Sequence, residues 1–397
     1  MQRSKRSLLN AVTAVMLTLS NGLFGLVSIK FILTYFGSDF NGLNSTASQI
    51  ITILMLLEGG FTVATNVALF KPFANKEYDN VSSIISATKN TFRKIGIVAF
   101  AAGIVIAGGY SFVINTNLPR FLVFSVFFMT ILPVCFNFYY ATKYRILLQA
   151  EQKEYIISFI TLITSALGYI TNIIAMPLGC NMWFVRFSTM FFAIINSLII
   201  GFYVKKKFSN INYKAKPNYL AIKGTKDVFI QKLTGVFYST APIVCITLTA
   251  GGTALASVYA VYNSVFVLLK GIMNSIIDAP RLSLGELAAQ NDRKTLWDVY
   301  EQYETIVLIL LFSFLTTAAV MVMPFINIYT KGVTDVNYNQ PIIAILLVFI
   351  SCFELIHLPS GHLMNMTGQF KTSKRIQIIA MIIMLAGFIV TLIFNLG

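Results

Sequence analysis

The chain has 397 residues, of which 56% are hydrophobic and only 11% are charged. Soluble domains are about one quarter charged, so this composition excludes an ordinary aqueous fold. The 30 Lys and Arg outnumber the 15 Asp and Glu, which gives a formal net charge of +15. In a membrane protein such an excess indicates topology first, and it does not call for a nucleic-acid partner.

Stretches of about 20 mostly apolar residues, enough to cross about 30 Å of hydrocarbon, recur along the whole chain. Eleven spans are predicted, and most of the breaks between them contain charged residues, Gly or Asn. In chain order the predicted spans are 8–36, 45–70, 94–114, 121–148, 155–177, 183–204, 228–250, 254–279, 304–328, 341–363 and 375–395. The sequence therefore predicts an all-α polytopic membrane protein.

The basic residues divide unequally between the two sides that these spans define. With the N-terminus in the cytoplasm, 25 Lys and Arg fall on the cytoplasmic side and three fall on the other side, namely Arg120, Arg186 and Lys331. The positive-inside rule predicts this distribution, so we expect a cytoplasmic N-terminus.

Two pairs of segments at nearly the same offset indicate an internal repeat. Residues 75–83 are similar in character to residues 290–298, which follow 215 residues later. Residues 146–152 are similar to residues 362–368 at an offset of 216. Six predicted spans separate the copies, so both have the same orientation and form a parallel repeat.

This repeat predicts a division into two helical bundles of about six and five transmembrane helices. The N-terminal lobe is expected at 1–204, a basic cytoplasmic linker at 205–227 and the C-terminal lobe at 228–397. Because the offset puts a twelfth span beyond Gly397, we expect this helix to be absent or truncated.

Several enzyme classes are disfavoured by what the sequence lacks. No connection between spans is long enough for a soluble catalytic domain. No P-loop pattern and no H-E-x-x-H motif occurs, and the only histidines are His357 and His362. The four cysteines have no metal-type spacing. We therefore expect no enzyme activity, no catalytic residues, no cofactor and no metal site.

Three short motifs resemble the polysaccharide flippases of the Wzx type. They are the connection Tyr35–Leu43, the segment Leu56–Ala64 in the second span and the turn Leu147–Tyr155. That family belongs to the superfamily that also contains multidrug-and-toxin extruders and lipid II flippases. Its members usually have twelve or fourteen spans. The eleven spans predicted here depart from that pattern, and the departure concerns how the C-terminal lobe is closed.

The resemblance implies a structure and a function. The two bundles would surround a central cavity and work by alternating access. The protein would flip an undecaprenyl-pyrophosphate-linked oligosaccharide across a bacterial inner membrane, for O-antigen, lipopolysaccharide or other surface polysaccharide biosynthesis. Independently of the resemblance, the residues themselves predict the bilayer lipids as partners and H⁺ or Na⁺ as the counter-ion.

Charged groups deep inside predicted spans mark transport pathways by default. Lys30 and Lys270 are predicted to be cavity cations, and Asn263 and Asn274 share the helical face of Lys270. The alternatives are a snorkelling Lys30 and a structural ion pair for Lys270. Arg186 is either interfacial or contacts the headgroup at the outer mouth.

Three further residues are predicted as ion-coupling sites. Glu58 lies in the second span, and Glu354 and His357 lie three residues apart in the tenth. A low-dielectric site raises the pKa of a carboxyl group, so that a proton or Na⁺ can exchange there. Alternatively, Glu58 pairs with Lys30 or Lys270, and the other two residues are solvated. Pro242 is the predicted hinge, with a static kink as the alternative.

Two other functions stay open at this point. A multidrug or cation extruder would share the architecture but would need an acidic cavity. The embedded charges are two lysines, Lys30 and Lys270, and two glutamates, Glu58 and Glu354, so they do not distinguish an extruder from a flippase. An integral-membrane sugar polymerase or ligase would need a sizeable external loop, whereas the predicted external turns are short. The sugar repeat, the coupling ion and the oligomeric state are not predicted.

Overall fold

Helices joined by short turns make up the computed structural model, which describes residues 2–58, 60–222, 226–249, 251–278, 293–366 and 370–393. Over these ranges no strand is present, and each predicted span coincides with helix over most of its length. The ends of three predicted spans, at 250, 279 and 394–395, lie outside the described residues. The predicted all-α class is confirmed.

The chain divides into two compact units, Met1–Ala256 with Thr391–Gly397, and Ser257–Val390. A 3₁₀ turn at Leu56–Glu58 and a π-helical segment at Asn137–Ala141 interrupt the helices of the first unit. Those helices are α1 (Gln2–Met55), α2 (Phe61–Ala74), α3 (Tyr78–Val113), α4 (Arg120–Phe136), α5 (Thr142–Ala150), α6 (Glu154–Ala175), α7 (Met182–Lys207) and α8 (Lys226–Leu248).

The second unit contains helices that follow the first unit in the chain. They are most of α9 (Gly252–Asp278), α10 (Arg293–Tyr329), α11 (Pro341–Ile356), α12 (Leu358–Met366) and most of α13 (Phe370–Ile393). Tyr262 and Ile277 are among its fully buried side chains. The Tyr303 hydroxyl donates to the Ile277 carbonyl at 2.7 Å and so joins α10 to α9. The predicted lobe boundaries stay a prediction.

Within the described ranges, eight helical stretches are long and apolar enough to cross a membrane. The polytopic membrane class is thereby confirmed, while the predicted number of eleven crossings stays a prediction. The first stretch, Val12–Glu58, contains parts of two predicted spans because α1 continues through the predicted break.

The predicted connection at 35–43 is a kink within α1 rather than a turn between two separate helices. Gly37 alone in α1 leaves the helical region, with φ at 80°, where glycine is tolerated without strain. Phe40 and Leu43, directly after it, are completely buried. Burying these two large side chains favours resuming the helix at once.

The first unit is held together by close helix packing at glycines. An ideal Cβ placed on Gly96 of α3 would lie 3.0 Å from the Tyr139 backbone nitrogen and 3.1 Å from the Cys135 carbonyl oxygen. Backbone atoms cannot move aside as a flexible side chain can. The absent side chain therefore sets how closely α3 approaches α4 and the π-helical segment.

We expect Gly96→Ala to destabilise the protein by about 1–3 kcal/mol, because the added methyl overpacks a backbone contact. Gly109→Ala on the same helix is the matched control, since its Cβ would meet nothing within 4 Å. That variant should be neutral or gain about 0.5–1 kcal/mol in helix propensity. Thermal unfolding in detergent measures both, and equal melting temperatures for the two variants would contradict the close-packing role.

The lysine-rich stretch after α7, part of the first unit, packs against α3. The Asn212 backbone N–H donates to Ser82 Oγ at 3.0 Å, and that of Asn218 donates to the Ser83 carbonyl at 3.2 Å. Ile211 and Ile222 are buried. Residues 223–225 of the predicted 205–227 linker lie outside the described residues.

Candidate functional site

A cavity of about 360 Å³ that contains both apolar and polar side chains lies within the first unit, lined by α4, the π-helical segment, α5, α6 and α7, with the end of α1. Arg145 is the one charged residue in its described lining, and no carboxylate takes part. Most of the other polar groups are amides and hydroxyls. They belong to Asn137, Thr161, Thr164, Ser165, Tyr169, Asn172, Thr189, Asn196 and Ser197.

The Arg145 guanidinium is anchored by a chain of hydrogen bonds. Its Nη2 donates to Oδ1 of Asn196 on α7. The Asn196 amide in turn donates to Thr161 Oγ1 at 3.1 Å and to Thr164 Oγ1 at 2.9 Å, both on α6. Because both hydroxyls are satisfied from the same amide, Asn196 is held with its oxygen towards the guanidinium.

Three polar atoms at this cavity are buried without a hydrogen-bond partner in the protein. They are Nε of Arg145, Oδ1 of Asn137 and Oδ1 of Asn172. Burying such atoms unpaired is costly, and most buried polar atoms in proteins are paired. A guanidinium donor beside two amide acceptors suits a ligand that carries both acceptors and hydroxyl donors.

The π-helical segment determines which side chains face the cavity. Its wider turn accommodates one more residue than an α-helical turn and so shifts the register of α5 relative to α4. The Thr142 hydroxyl donates to the Asn137 carbonyl at 3.0 Å and supports this turn. Arg145, one turn into α5, consequently lines the cavity with Asn137.

In the second unit, the structure brings together two residues that the sequence predicts as pathway groups. Lys270 Nζ on α9 lies 2.8 Å from Oε2 of Glu354 on α11. Their side chains are 18% and 31% exposed, so the pair is only partly solvated. The ion-pair alternative for Lys270 is thus observed, and its partner is Glu354.

Glu354 and His357, the ion-coupling candidates of the tenth predicted span, have different partners in this structure, and their coupling role stays a prediction. His357 is exposed and its Nδ1 lies 2.9 Å from the Phe353 carbonyl oxygen, within its own helix turn. The helix α11 ends at Ile356 and His357 caps it, whereas Glu354 Oε2 lies 2.8 Å from Lys270 Nζ on α9. The three-residue spacing is therefore not enough to bring these two side chains together.

The remaining predicted residues are dispersed over both units. Lys30 on α1 is half-buried, as is Asn263 on α9, whereas Asn274 is exposed. Glu58 is half-buried at the end of the 3₁₀ turn, so the helix is broken where the sequence predicts the middle of a span. Pro242 lies within α8, which continues on both sides of it. Their roles stay predictions.

Arg186, near the start of α7, is half-buried within the first unit. Its Nη2 donates to the Asn44 carbonyl on α1 at 3.3 Å, and its Nε is buried without a protein partner. Arg186 therefore ties α7 to the part of α1 that follows the kink. A role in contacting a headgroup stays a prediction.

Sequence reasoning missed the cavity residues of the first unit. Arg145 is one of the 25 basic residues that the positive-inside count places on the cytoplasmic side, but its side chain lines the cavity. A usable signal was present: Asn172 and Asn196 are amides in otherwise apolar spans, and Thr161 and Thr164 share one helical face.

The fold is similar to those of solved multidrug transporters and of a lipid II flippase. A multidrug resistance MATE family transporter of the MOP superfamily, in an inward-facing conformation, matches with a TM-score of 0.74 at 12% identity, covering 97% of this chain and 90% of that chain. The lipid II flippase MurJ matches with a TM-score of 0.68 at 16% identity, covering 98% of this chain and 82% of that one.

A third similar structure is the MATE multidrug transporter DinF-BH in complex with R6G, with a TM-score of 0.65, 12% identity and coverage of 94% and 84% of the two chains. No family model matches the sequence, and no curated protein is similar enough to count as a match. At these identities the likeness shows a common fold and neither the role nor the cargo.

Proposed function

We propose that this protein is a transporter that flips a polyprenyl-pyrophosphate-linked oligosaccharide across the bacterial inner membrane for surface polysaccharide biosynthesis. The observation that carries the proposal is the chemistry of the first-unit cavity, which combines the Arg145 guanidinium with amides and hydroxyls and no carboxylate. A guanidinium matches phosphate oxygens in a two-pronged geometry. Amides and hydroxyls match sugar hydroxyl groups.

The physical need for such a cavity follows from the cargo. Each polar group left unsatisfied in hydrocarbon costs several kcal/mol, so a sugar pyrophosphate needs partners throughout its crossing. Its lipid tail can stay in the bilayer. A cavity of about 360 Å³ is near the lower end for ligand sites, so it would hold one part of the headgroup at a time.

The main alternative is a multidrug or cation extruder, and the observation that favours it is the similarity to MATE multidrug transporters. A site for organic cations would favour a carboxylate, and the described lining of this cavity has none. The likeness to MurJ, a flippase named for lipid II, supports a lipid-linked cargo. A sugar polymerase or ligase has no counterpart among these similar transporters.

The other parts of the transport cycle are proposed from the sequence. Alternating access between two lobes, a cytoplasmic N-terminus and coupling to H⁺ or Na⁺ belong to this proposal. Further cargo contacts are assigned to Lys30, Lys270, Asn263, Asn274 and Arg186. Ion coupling is assigned to Glu58, Glu354 and His357, and hinge motion to Pro242.

Reconstituted vesicles test the cargo directly. The full-length protein is placed in neutral phosphatidylcholine vesicles that contain a fluorescent polyprenyl-pyrophosphate oligosaccharide. A quencher added outside the vesicles extinguishes the label that reaches the outer leaflet, and the rate of fluorescence loss is measured. We expect the protein to accelerate the loss, and to leave a fluorescent phosphatidylcholine in matched vesicles unaffected. Transport of a cationic dye such as rhodamine 6G, with no acceleration for the glycolipid, would favour the extruder instead.

A further inference from the structure

Four basic side chains converge at one end of the first unit without an acidic partner. Lys89 and Arg93 come from α3, Lys143 from α5 and Lys205 from the end of α7. Among the described residues none of the four has a carboxylate within salt-bridge distance. Together with the rings of Tyr140 and Tyr144 they are called the basic cluster below.

Lys143 forms the floor of the basic cluster and is only 6% exposed. Its Nζ donates to the Tyr140 carbonyl at 2.8 Å and lies 5.2 Å and 4.5 Å from the centroids of the Tyr140 and Tyr144 rings. The charges of Arg93, Lys205 and Lys89 act on it repulsively. A buried ammonium among like charges is costly unless an anion accompanies it.

The rim of the cluster is open to the outside. Lys205 is exposed, and its Nζ lies 5.4 Å from the Tyr140 ring centroid and 5.8 Å from that of Tyr144. Arg93, also exposed, lies over the Tyr139 ring at 5.1 Å. The cations are thus held on aromatic faces, which attract them without neutralising their charge.

The site is built into the fold rather than gathered on a mobile surface. An ideal Cβ on Gly201 of α7 would lie 2.6 Å from the Tyr140 ring, so only glycine leaves room for that ring. The preceding π-helical segment supplies Tyr139 and Tyr140, and such segments are frequent at functional sites.

A hydroxyl without a hydrogen-bond partner in the protein lies next to the basic cluster. The Tyr213 hydroxyl is buried and has no hydrogen-bond partner in the protein, and its ring contacts that of Tyr144 edge-on at 5.6 Å. The neighbouring Tyr213 carbonyl accepts a hydrogen bond from Lys89 Nζ at 2.6 Å. Burial and the nearby Tyr144 raise the pKa of Tyr213, so its phenol stays protonated and able to donate.

The length of α3 places the cluster at the level of the lipid headgroups. Its 36 residues extend over about 54 Å, whereas the hydrocarbon core measures about 30 Å. Lys89 and Arg93 directly precede the apolar part of α3, so they mark the boundary. Basic residues at this level attract anionic phospholipids.

We propose that the basic cluster binds the phosphate group of an anionic phospholipid headgroup, such as phosphatidylglycerol. The phosphate oxygens would lie among the four cations, with the Tyr213 hydroxyl as a further donor. This site is separate from the Arg145 cavity. It would make the protein bind anionic phospholipids in preference to neutral ones, whatever cargo it carries.

Thermal unfolding of the full-length protein in neutral detergent tests the proposal without any cargo. Short-chain phosphatidylglycerol should raise the melting temperature, whereas short-chain phosphatidylcholine and inorganic phosphate should have little effect. Lys205→Gln should weaken the phosphatidylglycerol effect so that about ten times more lipid is needed. Because Lys205 is exposed, this variant should fold as the wild type does.

Lys206→Gln is the matched control, because it removes the same charge from the adjacent exposed position, whose side chain lies over no aromatic ring. Phosphatidylglycerol should raise the melting temperature of this variant as much as that of the wild type. It should also raise the melting temperature of Lys143→Arg, which keeps the positive charge. Equal stabilisation by the neutral and the anionic lipid, or equal losses in the Lys205 and Lys206 variants, would overturn the proposal. Stabilisation by inorganic phosphate alone would overturn the assignment to a lipid.

Discussion

Replacing Arg145 by Ala should reduce the rate of glycolipid translocation by about 10- to 100-fold in reconstituted vesicles. A hydrogen bond to a charged group contributes about 1.5–3 kcal/mol, and each 1.4 kcal/mol corresponds to a factor of ten. Arg145→Lys keeps the charge but not the two-pronged geometry, so it should recover only part of the rate. The quencher assay measures both variants at equal amounts of folded protein.

Controls separate this effect from simple destabilisation. Arg145→Ala also leaves Asn196 Oδ1 without the donor that it now has, so a lower melting temperature is expected. Lys216→Ala removes one positive charge from an exposed residue of the linker and should leave both rate and stability unchanged. An Arg145→Ala protein that translocates at the wild-type rate would rule out a cargo contact in this cavity.

The transmembrane architecture could be predicted because it depends on composition summed over long windows. About 20 apolar residues are needed for each crossing, and the errors of individual residues average out over such a length. The kink at Gly37 could not be predicted in the same way. Whether a glycine ends a helix or bends it depends on what the next residues bury, here Phe40 and Leu43.

The candidate site was harder to predict because the spacing of residues within one helix does not determine which other helix they contact. Lys270 and Glu354 are 84 residues apart, and only the packing of α9 and α11 brings them within 2.8 Å. Arg145 illustrates the converse, since a basic residue near a span end fits the positive-inside rule equally well whichever way its side chain is directed. The rule counts charges, whereas the cavity depends on rotation about the helix axis.

The Lys270–Glu354 pair can be tested by a double-mutant cycle that separates stability from transport. Lys270→Met and Glu354→Gln, each alone, should lower the melting temperature, because each leaves an uncompensated charge in an apolar setting. The exposed fractions of 18% and 31% allow solvent screening, so we expect a coupling free energy of about 1–2 kcal/mol.

The double variant Lys270→Met/Glu354→Gln should regain most of the stability, because no unpaired charge remains. Its translocation rate should nevertheless stay at least about tenfold low if the ammonium is released from Glu354 to meet the cargo anion, since that exchange needs the charge itself. Lys270→Arg with Glu354 unchanged should retain part of the wild-type stability and part of the wild-type translocation rate. If the uncharged pair restores transport together with stability, the pair is a structural tie between α9 and α11, and the anion pathway must rely on other cations.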